Sequence, residues 1–240
     1  MSIYQIKLKA KKQIATGTMS FSFEKPVGFI HKAGQFADFT LLNPPETDAE
    51  GNIRGFSLTS APYETNLMIA TRMRDTAFKR VLKDLPIGTE LTMDAPYGSF
   101  TLHNNVAIPA VFLTGGIGVT PVRSIVMQAL HDKPTREIFV FSSNKTPQDA
   151  AFTEDLSRPQ SERPKYTYVS TVTDVPPSTK PATGETGFIN QAMLSKYISD
   201  LTQPIYYISG PQGMVTALRT MLNDAGVDDD NIRTEEFSGY

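Results

Sequence analysis

The chain has 240 residues, 23 Lys and Arg against 25 Asp and Glu, three His and no Cys. That length allows one large domain or two ordinary ones, and a net charge of -2 leaves no broad basic field for duplex nucleic acid. The absence of cysteine removes disulfides, thiolate metal sites, a thiol nucleophile and cysteine-held iron–sulfur clusters, while His31, His103 and His131 form no HxxxH-type pair, so no metal site is expected.

The N-terminus, MSIYQIKLKAKKQIATGT, has no apolar core and is not a signal peptide. No apolar run approaches the length of a membrane span. A cytoplasmic monomer with no membrane and no nucleic-acid partner is the expectation. The first hundred residues read as β. Alternation at Tyr4, Ile6 and Leu8, at Met19, Phe21 and Phe23, and at Phe36, Phe39 and Leu41 predicts short strands between Gly and Pro turns, as in a barrel or sandwich. TAFKRVLKDL interrupts as a helix with Thr76 as N-cap. GTELTMDAPYGSF closes the segment.

After about residue 105 the pattern changes. AIPAVFLTG is a continuous apolar run, as expected of a strand buried on both faces. A helix follows, then the strand EIFVFS, the helix DAAFTEDL and the strand KYTYVSTV. PPSTKPATGETG is a turn-rich loop. NQAMLSKYI reads as a helix, PIYYISG as a strand, MVTALRTMLNDAG as a helix and IRTEEF as a last strand. Such alternation predicts a doubly wound parallel sheet. The boundary falls near residues 103–106, giving domains at 1–105 and 106–240.

Two stretches carry chemistry. RGFSLTSAP places a cation, an aromatic ring and a hydroxyl at Arg54, Phe56 and Ser57. The alternative reading of Arg54 is an exposed turn cation. LTGGIGVTPVRS is a strand, a Gly-rich turn and a helix. Gly115, Gly116 and Gly118 permit positive φ and close approach of a ligand. Thr120 reads as an N-cap with Pro121 at the first helical position, and such a helix start attracts phosphate. The spacing is GxGxxP and departs from the dinucleotide fingerprint. SGPQGM opens a helix at the end of a buried strand, with Gly210 letting a ring lie close to the backbone beside Pro211 and Met214. The plain reading is a strand-to-helix turn with Met214 in the core.

RGFSLTSAP, APYGSF, GGIGVTP, SGPQGM and TEEF occur in that order, and together they resemble the ferredoxin–NADP reductase family of FAD-dependent oxidoreductases over nearly the whole chain. The resemblance implies a six-stranded antiparallel FAD barrel followed by an α/β nicotinamide domain. It implies that Arg54 pairs with the FAD pyrophosphate, a bidentate cation suiting two anionic oxygens. Phe56 would lie against the flavin where most members have tyrosine, and Ser57 would sit near its hydride-accepting nitrogen. Thr71 would face the flavin, and the helix start at Thr76 would hold pyrophosphate. Asp75 beside it departs from the family's glycine and serine and must point away. Arg72 or Arg74 could add a second cation. Ser209 stands where many members have cysteine beside the nicotinamide. Glu235 would lie in a proton or partner path. Phe237, or Tyr240 beyond it, would cover the flavin, with core packing as the plain alternative for Phe237.

The implied activity is hydride transfer from NAD(P)H to FAD and electron delivery to an external acceptor, such as a ferredoxin, an oxygenase component or a small oxidant. The alternatives are an electron-transfer subunit of a larger complex and a non-catalytic flavin- or nucleotide-binding sensor. Ser142, Ser143, Asn144 and Lys145 end the second strand of the nicotinamide domain with donors and no carboxylate before Asp149. With Arg123 near, they predict a modest preference for NADPH over NADH.

Overall fold

The computed structural model describes residues 2–133, 135–175 and 184–237. Its first half is an antiparallel sheet of β1 (Ser2–Ala15), β2 (Thr18–Glu24), β3 (Phe36–Leu41), β4 (Ile53–Ser57), β5 (Asn66–Arg72) and β6 (Glu90–Tyr97), ordered β4-β3-β6-β1-β2-β5. The seam between the outer strands is bridged just past β4, where Thr59 N–H donates to the Met68 carbonyl at 2.8 Å. The apolar phase of each strand faces inward: Ile6, Leu8, Phe21, Phe23, Phe39, Leu41, Leu91 and Met93 form one core. Alternate residues share a face of a strand, which makes that phase legible. Helix α1 (Ala77–Asp84) covers this core with Phe78, Val81 and Leu82. The Thr76 hydroxyl accepts from Lys79 N–H, as an N-cap does.

The second half is a six-stranded parallel sheet ordered β10-β9-β8-β7-β11-β12. Its strands are β7 (Ala110–Gly115), β8 (Ile138–Asn144), β9 (Tyr166–Val172), β10 (Glu185–Thr186), β11 (Ile205–Pro211) and β12 (Ile232–Phe237). β7 lies in the interior of the sheet and every residue of it is buried. Phe112 joins Val122, Ile125 and Val126 of α2 (Val119–His131) on one face. Val111 and Leu113 join Leu218 and Leu222 of α5 (Gln212–Asp224) on the other. The remaining helices, α3 (Thr153–Ser157) and α4 (Gln191–Leu194), are short.

Three expectations change. Residues 149–156 do not form one helix: a 3-10 turn at Pro147–Asp149 is followed by Phe152 at φ 59, and α3 starts only after it. Thr120 is not an N-cap, because Gly116–Gly118 already winds as a 3-10 turn and runs into α2 at Val119. Its hydroxyl instead donates to the Ile117 carbonyl at 2.9 Å. The loop of residues 176–187 ends in the two-residue strand β10; residues 176–183 lie outside the described residues.

α2 joins the halves. Arg123, 6% exposed, donates to the Thr59 carbonyl (3.0 Å) and to both oxygens of Glu64 (2.9 and 3.1 Å), and its Nε donates to Asp155 (2.7 Å). At the next residue, the Ser124 hydroxyl donates to the Ser60 carbonyl at 2.8 Å. A buried cation bound on three sides fixes the antiparallel domain on the first turn of α2. This corrects the expectation that Arg123 is available to a nucleotide phosphate.

Candidate functional site

The C-terminal ends of β7, β11 and β12 lie in register, Thr114 beside Ser209 and Ser209 beside Glu235. Partners in register present their side chains on one face of a sheet. Thr114 Oγ1, Ser209 Oγ and Glu235 Oε2 are all buried without a hydrogen-bond partner. Buried polar atoms are normally paired, so three adjacent orphans at the end of a parallel sheet, where open α/β folds bind ligands, mark a site. Burial pushes the Glu235 carboxyl up to about 7, because desolvation penalises the charged form.

The glycines of the two turns serve each other. A Cβ on Gly118 would lie 2.2 Å from the Ser209 carbonyl oxygen, and one on Gly210 would lie 3.2 Å from the backbone of Gly115. The turn after β7 therefore nests against the end of β11. Gly116 alone among these takes a positive φ, 54°, a conformation glycine adopts without strain. Met214 packs its sulfur over Gly115 and Gly210.

Below this edge runs a cleft of about 690 Å³ between the domains. The antiparallel domain contributes Arg54, Phe56, Ser57, Thr71, Arg72, Arg74, Thr76 and Lys79, and the parallel domain contributes Ile117, Thr120, Glu235, Glu236 and Phe237. The structure thus brings together Arg54, Phe56, Ser57, Thr71, Thr76, Thr120, Glu235 and Phe237. Ser57 and Thr71 are buried, while Phe56 is half-buried against Phe39 and Phe78. Asp75 pairs with Arg80 at the surface and does not line the cleft. Lys79, which the sequence does not single out, donates to the Arg72 carbonyl at 2.8 Å. Burial, with Arg74 and Arg54 near, lowers its ammonium to about 8.

One cation of the cleft, Arg54, is already engaged. Arg54 lies over the Phe78 ring at 5.4 Å and donates to the carbonyls of Glu50 and Ile53, both at 2.7 Å. It also pairs with the Glu50 carboxylate at 2.7 Å and with Asp48 at 3.4 Å. The other Asp48 oxygen accepts from Ala77 N–H at 2.8 Å, at the start of α1. That bond leads the causes holding the Asp48 carboxyl below its ordinary range. Two carboxylates of the 48–50 loop therefore sit where an arginine and a helix N-terminus would receive an anion.

Two smaller hollows adjoin the edge. One, of about 450 Å³, shares Phe36 and Glu235 with the cleft and adds Gly98, Ser99, Phe100 and Arg233. Phe36 reads in the sequence as strand core; it is only half-buried and lines both spaces. The other, of about 270 Å³, is lined by Ser143, Phe188, Ile189, Gly213, Met214, Ala217 and Leu218. Phe188 is 78% exposed there, a signal that only the folded chain gives. Lys145 is exposed at the end of β8, and Asn144 is buried with its Oδ1 unpartnered. Pro211 ends β11 above Gly210. Tyr240 lies outside the described residues.

The chain's likeness to known proteins agrees with this layout. Residues 112–220 match the family model described as the oxidoreductase NAD-binding domain. The glycine betaine monooxygenase reductase subunit of Chromohalobacter salexigens is 27% identical over 224 residues, 92% of this chain and 60% of its own length. A subunit belonging to the Na(+)-translocating NADH-quinone reductase of Haemophilus influenzae is 30% identical over 204 residues, 78% of this chain and 49% of its own. The chain thus spans about half to three fifths of the length of these relatives. In fold it resembles a ferredoxin NADP+ reductase of Neisseria gonorrhoeae solved with bound FAD and NADP, with a TM-score of 0.81, 18% identity and 98% of each chain covered.

Proposed function

We propose, since this chain belongs to the ferredoxin reductase-like family of FAD- and NAD(P)-binding reductases, that it takes hydride from NAD(P)H and delivers electrons to an external acceptor. The observation that carries the reading is the row of unpartnered polar atoms on Thr114, Ser209 and Glu235, whose last member opens into the cation-lined interdomain cleft. The donor set fits a dinucleotide cofactor: Arg54, Arg72, Arg74 and Lys79 supply positive charge, Ser57, Thr71 and Thr76 supply hydroxyls, and Phe56 supplies a flat face.

When bound, FAD supplies a ring that accepts hydride and passes electrons on singly. The chain's own share is position and charge. In this reading residues 1–105 hold FAD and residues 106–240 hold the nicotinamide nucleotide. Arg54, Lys79 and the start of α1 at Thr76 hold the pyrophosphate, and Phe56, Ser57 and Thr71 orient the ring. Gly116, Gly118 and Thr120 shape the nucleotide turn, and Asn144 and Lys145 meet its ribose end. Gly210, Pro211 and Met214 shape the floor beside Ser209. Phe237 covers the ring, and Glu235, near neutrality at about 7, holds a proton at the mouth of the cleft. Holding the two rings in alignment in this cleft would be the chain's chief contribution to rate.

An acceptor protein or small oxidant completes the turnover, in the cytoplasm and from a monomer. The names of the relatives, a monooxygenase reductase subunit and a quinone reductase subunit, favour a second version in which the chain works as one electron-transfer subunit. Steady-state NADPH oxidation by the FAD-loaded chain with ferricyanide separates the two. Sustained turnover supports the free-standing reductase. Reduction without turnover supports the subunit, and no reduction at all removes both.

A further inference from the structure

At the N-terminal ends of β8 and β9, the edge opposite the nucleotide turn, a cleft of about 380 Å³ opens between the segment before Ile138 and the segment before Tyr166. Arg136 lines it and is 6% exposed. No carboxylate among the described residues lies within ion-pair distance of Arg136, and its Nε is buried without a partner. Its Nη1 lies 2.9 Å from His103 Nε2, but that nitrogen is also 3.0 Å from the Ile108 carbonyl, and Nδ1 is 2.9 Å from the Tyr207 hydroxyl. One imidazole cannot satisfy the carbonyl and accept from the guanidinium through the same nitrogen. With either tautomer the buried positive charge faces no anion. Such a charge is costly unless something pairs it.

The rest of the cleft has the complementary chemistry. Lys133, Arg163 and Lys165 also line it, Glu162 is the carboxylate there, and Ile138 and Tyr166 form an apolar wall. Lys165 is held by its bond to the Thr135 carbonyl at 2.8 Å. A volume of this size takes a small metabolite, and an arginine fork with three further cations around it suits a dianion. We propose that this cleft binds a phosphate monoester with a small apolar body, its phosphate on Arg136, Arg163 and Lys165 and its body against Ile138 and Tyr166. The site is separate from the interdomain cleft and does not depend on the redox reading.

Isothermal titration of the full chain with phenyl phosphate tests it. Saturable binding is expected, weakened at least tenfold by Arg136→Gln and unchanged by Lys9→Ala on the distant strand β1. Should Arg136→Gln fail to fold, the rim variant Arg163→Ala/Lys165→Ala decides, with at least a fivefold loss expected. Absence of saturable binding in the parent, or equal affinity in the parent and the folded variants, overturns the proposal.

Discussion

Replacing Glu235 by Gln should make the protein more stable at neutral and alkaline pH while changing little in acid. The folded carboxyl titrates at about 7, raised from its ordinary 4.5 by burial without a hydrogen bond to Oε2. A raised acid binds its proton more tightly in the folded state. Its contribution is therefore fully present below pH 4.5 and is lost as the pH climbs through 7. A shift of that size corresponds to about 3 kcal/mol. Glutamine keeps the shape and never ionises. Urea unfolding of parent and variant at pH 4.5 and pH 8 reads the effect: the difference between them should shift in favour of the variant by about 3 kcal/mol across that interval. Because the comparison is between two pH values, any fixed cost of the substitution cancels. A difference that stays flat with pH would show that Glu235 is solvated in the folded chain and would refute its role as a neutral group at the cleft.

Three further outcomes are expected. Asp48→Asn/Glu50→Gln frees Arg54 and the start of α1 from their present carboxylate partners, so FAD titration by fluorescence quenching should show roughly tenfold tighter binding; unchanged or weaker binding would mean the loop does not compete. Lys79, lowered to about 8, must recharge to hold a pyrophosphate, so FAD affinity should fall about fivefold between pH 8 and pH 9. Lys79→Met should bind more weakly and lose that pH dependence, and a parent-like profile in the variant would exclude the lysine. Lys145→Glu should invert a modest preference for NADPH, measured as the ratio of kcat/KM for NADPH and NADH, by repelling the 2′-phosphate; a parent that prefers NADH would refute the reading of that loop.

Local pattern carried most of the architecture. The inward phase of Ile6 and Leu8 or Phe21 and Phe23 follows from a period of two, and the unbroken burial of β7 follows from an unbroken apolar run. Strand order was not legible, because alternation of strands and helices states that the sheet is parallel and not that β7 lies between β8 and β11. Side-chain partners across long sequence separations were equally hidden. Arg123 reads as a helix-start cation available to phosphate, yet it is consumed by Glu64 and Asp155. Arg54 reads as an anion receptor, yet it is folded onto the 48–50 loop. Lys79, Phe36 and Phe188 look ordinary in the sequence and gain meaning only from the spaces they line. Residues 149–156 carry a helical pattern that the left-handed Phe152 breaks, and no proline or glycine announces the break.

The most direct measurement is anaerobic titration of the FAD-loaded chain with NADPH, followed by the visible absorbance of the flavin. Bleaching complete at one equivalent, with colour restored by ferricyanide, is the expected result. A chain that binds FAD and keeps its full absorbance in excess NADPH and NADH would contradict hydride transfer across the interdomain cleft.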